Sequence, residues 1–422
     1  MFVHLHVHSE YSLLESSIKI KDLVSTASNL RMKAVALTDK YVMSGAVEFY
    51  KEAKAMNLKP LIGCEICLTR SGRLSHLTLL VKDQTGYENL CEIVGMSYLR
   101  LINTRKTSDK AQVEVPGFIP SPDLPSVEMP QLRNNSKGLI CLSGCSKGEI
   151  PYLLKNGRLR EAEDFALELS ELFEKDFYIE VQRYSLTSSN NYKNLASENL
   201  VNFAQRNGTA VTATNNVHYL GRRDFEIYRS MAKLKMMGTK NDPTSTILEN
   251  NEHHFKSECE MSRMFRDIPE AIINTQKIAD KCSFEFSLEK INIPHYMPEN
   301  GESQEKYLAG LCRRGLKLRY GENPSRQVLD RLTMELEVIA GIGYTGYFLI
   351  VADIARFACE NKIPICGKGS AAGSLVSYIL RISNVEPIHN KLYFERFLNK
   401  ERKEPPDIDI DISSKDRGKV VQ

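Results

Sequence analysis

His4-Leu5-His6-Val7-His8 places three imidazoles at two-residue spacing, so an extended chain turns all three to one side, where imidazoles can share a metal ion. Outward from it, short apolar runs recur with a potential ligand at one end: Val35 to Asp39, Pro60 to Glu65, His76 to Leu80, Gly138 to Cys145 and Thr209 to His218. Segments with helical periodicity separate several of them, among them Lys21 to Asn29, Gly45 to Met56 and Leu159 to Glu174. Ligands at strand ends in an alternating β/α pattern predict a barrel with its site at one mouth.

A second chemistry-bearing stretch is Pro406-Asp407-Ile408-Asp409-Ile410-Asp411. On a strand its three carboxylates share one face and the isoleucines the other, with same-face Cα atoms about 6.6–6.8 Å apart. Like charges that close need a counter-cation, and hard carboxylates suit Mg²⁺. Two such ions about 3.5–4 Å apart clamp the attacking and leaving oxygens in phosphoryl chemistry. Upstream, Gly367-Lys368-Gly369-Ser370-Ala371-Ala372-Gly373-Ser374 leads into the apolar run Leu375 to Leu380, which reads as a helix. A glycine-serine turn feeding a helix N-terminus predicts free amides, hydroxyls and a positive dipole end for an anion, with Lys368 adding charge. It is not a Walker A loop, because Gly369 stands where that motif needs Ser or Thr.

Gly346 to Val351, the glycine-serine stretch, Phe394 to Asn399 and Pro406 to Asp411 resemble, in order and spacing, the palm of bacterial DNA polymerase III alpha subunits, the C-family replicative polymerases. The resemblance implies that Asp407 and Asp409 are two of three catalytic aspartates binding Mg²⁺, with Asp411 in support. It implies that Gly369 and Ser370 hold the incoming triphosphate, with Lys368 and Arg396 beside them. Lys368 stands where arginine is usual, keeping charge but losing the planar fork, and the segment at Cys366 is one residue shorter.

The first two-thirds of the chain resembles the polymerase and histidinol phosphatase (PHP) domain, which implies a three-metal cluster on nine side chains. Seven positions keep a ligand type: His6, His8, Glu15 (where aspartate is usual), Glu65, His76, Cys145 and His218. Lys40 replaces a histidine, and Asn216 replaces an aspartate. A partial site for Zn²⁺ or Mn²⁺ and a metal-free site both stay open.

With 422 residues the chain has room for two or three domains, and 56 basic against 53 acidic residues make no charge argument for nucleic acid. The N-terminus has no basic-then-apolar leader and no window is uninterruptedly apolar over a membrane thickness, so a cytoplasmic protein with ten reduced cysteines is expected. Residues 116–130 are proline-dense and predict a loop, and 287–303 read as a connector. The expected fold is α/β: residues 1–286 a distorted β/α barrel of the PHP type, and 287–422 the first part of an α+β palm of the polymerase beta-like nucleotidyltransferase type. Asn323-Pro324 predicts a helix start, with Leu329, Leu332, Leu336 and Ile339 striping one face.

The leading expectation is the amino-terminal part of a DNA-directed DNA polymerase acting on primer-template DNA and deoxynucleoside triphosphates, inactive without residues beyond 422. Clamp-binding regions would lie further on. A metal-dependent phosphoesterase or 3′–5′ exonuclease in the histidine-rich domain is one alternative. A non-catalytic scaffold docking a proofreading exonuclease subunit is the other.

Overall fold

Seven short strands form one sheet in the computed structural model, which describes residues 1–107, 124–184, 191–236, 251–288, 294–298, 300–399 and 406–421. The proline-dense stretch lies outside these residues as far as 123, and the connector lies outside them at 289–293 and 299. The chain divides into two compact units, Met1–Phe286 and Ser287–Gln422.

In the first unit the strands are β1 (Ala34–Leu37), β2 (Lys59–Arg70), β3 (Arg73–Val81), β4 (Val127–Glu128), β5 (Leu139–Leu142), β6 (Phe177–Gln182) and β7 (Val211–Thr214). Their order is β1-β2-β3-β5-β6-β7, with β4 beside β2. Both faces are buried, which is why β1 and β5 are apolar throughout, whereas β7 buries Thr212 and Thr214 as well. Val35 and Leu37 join the core formed with Leu23, Val24 and Ala27 of the helix Ile20–Asn29, whereas Ala34 and Ala36 join Val3, Leu5, Leu61 and Leu80. The helix Leu159–Phe173 buries Ala162, Phe165, Ala166, Leu169 and Phe173, the spacing of one helical face.

The sheet is not uniformly parallel. β3 runs antiparallel to both β2 and β5, because a tight turn at Ser71-Gly72 returns β2 directly into β3. The histidine-rich segment is also not a regular strand. It forms a single bridge, Val7 with Val217. The carbonyls of His4 and Val7 accept from the amides of Ala36 and Thr38, each at 2.8 Å. On the opposite side the His8 amide donates to the Val217 carbonyl at 3.0 Å, and the Val217 amide donates to that of His6 at 3.1 Å. Residues 4–8 therefore bond both the open edge of β1 and the chain just past β7, which curls the sheet.

In the second unit the helices Gln304–Tyr320, Arg326–Gly341 and Thr345–Glu360 enclose Leu308, Cys312, Leu332, Ile339, Phe348 and Phe397. Ser325, not Asn323, caps the middle helix, its hydroxyl accepting from the Val328 amide. The buried face is correspondingly rotated to Val328, Leu332, Glu335, Val338 and Ile339, leaving Leu329 43% exposed. Strands β8 (Ile365–Lys368) and β9 (Asp409–Ile412) pair antiparallel. Among the described residues no single helix is long and apolar enough to cross a membrane.

Candidate metal centre and carboxylate strand

The first unit gathers most of the predicted ligands into one buried cage. His6 and His8 come from the bridging segment, Glu65 from β2, His76 from β3, and Cys145 and His218 from just past β5 and β7. Glu65 pairs with Thr78 across the hairpin, so His76, two residues before Thr78, lies diagonally on the same face. Oε1 of Glu65 is 2.6 Å from Nδ1 of His76 and 3.7 Å from Sγ of Cys145. Oε2 of Glu65 is 3.4 Å from Nε2 of His8 and 3.7 Å from Nε2 of His6. Two triads result, His6–His8–Glu65 and Glu65–His76–Cys145, each with its ligand atoms within 4.8 Å of one another.

His218 stacks on His8 with ring centroids 4.7 Å apart, and its Nδ1 lies 2.6 Å from the Glu15 carbonyl oxygen. His4 is not in the cage; its Nε2 lies 2.8 Å from the Lys256 carbonyl oxygen. Asn216 sets Oδ1 2.9 Å from Nε2 of His8. The Lys40 ammonium pairs with Glu15 and sits 3.8 Å from Oε2 of Glu65.

One functional residue was missed from sequence. Glu180 on β6 places Oε1 2.7 Å from Nδ1 of His6 and accepts from the Thr214 hydroxyl at 2.6 Å. Its only signal is a lone carboxylate inside the apolar run Phe177 to Val181.

Burial pulls the His8 imidazole down to about 3 and holds His218 well below its usual value, so both keep a lone pair at neutral pH. Burial also opposes a charged His6, but Glu180 and Glu65 outweigh it and raise that ring to about 10. Burial pushes the Cys145 thiol up to about 12. Glu65 stays well below the usual carboxylate range, because His76 and Lys40 overcome the cost of burying it. Nε2 of His6, Oε2 of Glu65, Oε2 of Glu180 and Nε2 of His218 are buried without a hydrogen-bond partner. Buried polar atoms are normally satisfied, so the unpartnered Nε2 of His6 and Oε2 of Glu65, 3.7 Å apart within one triad, fit a divalent ion that displaces the His6 proton.

The second unit carries the acidic stretch. Asp407, Asp409 and Asp411 are exposed, whereas Ile408 and Ile410 pack beside Val351, Ala352, Ala355 and Ile382. The Ile408 amide donates to the Tyr347 hydroxyl at 3.2 Å, which anchors the start of the segment. Lys368 lies opposite Asp409 in the β8–β9 register, and its ammonium bonds Oδ1 of Asp411 at 2.8 Å. Gly369 adopts φ +70°, a region most side chains avoid, and a Cβ there would lie 3.8 Å from Oδ2 of Asp409. Asp409 and the glycine-serine turn are therefore neighbours. Ser370 is exposed on the same turn, and Arg396 is exposed on the 3-10 turn Phe394–Arg396. Among the described residues no ion pair joins Arg396 to the aspartates.

The anion site expected at the helix N-terminus is corrected by the structure. The amides of Leu375 and Val376 donate to the Glu335 carboxylate at 2.9 and 3.0 Å, so a side chain of the protein already occupies that end. The exposed part of the turn, Lys368 to Ser370, is what a ligand can reach. The exposed carboxylates of Asp407, Asp409 and Asp411 are hard oxygen donors along one edge, with Asp411 already paired to Lys368.

Residues 4–184 match the PHP domain family, and residues 306–422 match the bacterial DNA polymerase III alpha NTPase domain. The whole chain aligns with DNA polymerase III subunit alpha of Borreliella burgdorferi at 38% identity over 435 residues, and with that of Helicobacter pylori at 36% over 457. Among solved structures, an amidohydrolase from Chromobacterium violaceum is 14% identical, covering 52% of this chain and 88% of that chain at a TM-score of 0.38. Residues 4–184 of the first unit are of the PHP class by the family match. The chain as a whole belongs to the family of bacterial DNA polymerase III alpha subunits and spans 36% of the length of these two relatives.

Proposed function

We propose that the chain is the amino-terminal part of a DNA-directed DNA polymerase, with residues 1–286 its PHP domain and 287–422 the first part of a palm of the nucleotidyltransferase type. The observation that carries this reading is the β8–β9 register, which sets Asp409 against Lys368 and beside Gly369. Asp407 and Asp409 would hold Mg²⁺, which would supply activation of the primer 3′ hydroxyl and stabilisation of the pyrophosphate leaving group. The amides of Gly369 and Ser370 bind the triphosphate of the incoming nucleotide, and Arg396 adds charge. Lys368 exchanges Asp411 for a phosphate when nucleotide enters. Two of the three aspartates implied by the resemblance lie in residues 1–422, and the relatives are longer, so synthesis is expected of a polypeptide of their length and not of these residues alone.

Primer extension tests this. The longer polypeptide extends a primer on a DNA template, Asp409→Asn in it abolishes extension while DNA binding persists, and residues 1–422 alone extend nothing. Full extension by Asp409→Asn overturns the assignment.

A concurrent role for the first unit is supported by the unpartnered cage atoms, which favour a bound Zn²⁺ or Mn²⁺. Stoichiometric metal with phosphodiesterase turnover lost in His8→Ala supports a hydrolytic site. Capture of a proofreading exonuclease that survives His8→Ala supports a docking scaffold instead.

A further inference from the structure

Arg331 and Glu335 stand one turn apart on the helix Arg326–Gly341, with Nε of Arg331 2.7 Å from Oε1 of Glu335. Glu335 is fully buried, yet its carboxylate is saturated. Besides Arg331 it accepts the Ser374 hydroxyl at 2.8 Å and the Leu375 and Val376 amides at 2.9 and 3.0 Å. Arg331 spends its Nη2 on two backbone carbonyls, Gly373 at 2.9 Å and Leu392 at 3.3 Å. Gly373 ends the glycine-serine turn, and Leu392 leads into the turn that carries Arg396. The two stretches touch directly, since a Cβ on Gly373 would lie 2.8 Å from the Tyr393 carbonyl oxygen.

Capping alone does not account for this pair. Ser374 accepts the Ser377 amide at 3.1 Å and Glu335 the Leu375 and Val376 amides, but the two carbonyls held by Arg331 belong to no helix N-terminus. A buried ion pair is also a poor route to stability, because desolvation cancels most of the Coulomb gain. What it supplies is fixed geometry. An arginine fork on two carbonyls and a carboxylate on three donors lock two backbone segments to one helix. Glu335 also occupies the Leu375 and Val376 amides, which leaves Lys368 to Ser370 as the exposed part of the turn.

We propose that Arg331 and Glu335 are positioning residues for the incoming triphosphate, holding the Lys368-Gly369-Ser370 turn and the Arg396 turn in one fixed relation. The inference rests on the reading of those two turns as nucleotide contacts.

The test is equilibrium titration of the chain with Mg²⁺·dATP, alongside urea unfolding of each protein. Arg331→Lys keeps the charge opposite Glu335 but loses the fork, and it weakens binding about tenfold or more, the scale on which lost alignment acts. Ser374→Ala is the milder probe should Arg331→Lys fail to fold, and it weakens binding in the same direction. Arg331→His, lacking reach, does not restore affinity, whereas raising the Mg²⁺ concentration leaves the variant-to-parent ratio unchanged. A parent that binds no nucleotide removes the triphosphate reading and the inference with it. A parent that binds, with folded Arg331→Lys or Ser374→Ala binding equally well, overturns the positioning role and leaves the triphosphate reading standing.

Discussion

The ammonium of Lys40 lies 3.8 Å from Oε2 of Glu65 and pairs with Glu15, inside a cage otherwise walled by imidazoles and a thiol. A protonated lysine offers no lone pair, so it ligates nothing; it is a tethered cation among carboxylates. Glu15 and Glu65 are therefore neutralised in part without any metal. Lys40→Met removes the cation that Glu15 and Glu65 share and destabilises the first unit by about 3 kcal/mol in chelator, the scale of a broken buried pair. Added Zn²⁺ recovers part of that loss in the variant and shifts the parent less. Urea unfolding with and without chelator measures both, and equal stability of the two proteins in chelator contradicts the role given to Lys40.

Glu180 orients His6 through the ring nitrogen opposite the one that faces Glu65. A carboxylate behind a ligating histidine typically raises metal affinity, and its loss costs about 10–100-fold. Glu180→Gln is expected to weaken Zn²⁺ binding on that scale in a competition titration, with little change in fold. Unchanged affinity excludes His6 as a ligand.

Lys256 is 1% exposed, and burial draws it down to about 8 against the pull of Glu252. In the unfolded chain the amine titrates near its ordinary 10.5, so between these two pH values the unfolded state binds more protons and stability rises with pH. The penalty for burying the charge is present in full below the lower value. Lys256→Met, with Glu252 still paired to Arg222, gains stability over the parent near neutrality. Its advantage shrinks by about 3 kcal/mol across the window, at 1.36 kcal/mol per pH unit. Denaturation curves for the two proteins that stay parallel with pH contradict this.

The apolar runs at β1 and β5 were legible because burial on both faces leaves no polar alternation to confuse them. The acidic alternation at Asp407 to Asp411 was legible for the opposite reason, since one face of β9 meets Val351 and Ala355 and the other meets water. The histidine-rich segment misled as a strand because its hydrogen bonds split between two neighbours far apart in sequence. The helix stripe was legible at Leu332, Leu336 and Ile339 and not at Leu329, because Glu335 occupies a buried place that polarity assigns to solvent. Arg331 one turn away and the distant Ser374 to Val376 together make that burial tolerable. Glu180 was hidden likewise, its meaning supplied by His6 across 174 residues of chain.

Iron-directed cleavage tests the central claim most directly. With Fe²⁺ replacing Mg²⁺ in the presence of ascorbate and peroxide, hydroxyl radicals cut the backbone beside bound metal. The account predicts cuts at residues 407–411 and 367–370 together, suppressed by excess Mg²⁺ and absent from Asp407→Asn/Asp409→Asn. Cleavage confined to the histidine cage, or cuts at 407–411 that persist in the double variant, contradicts a metal-binding carboxylate strand facing the glycine-serine turn.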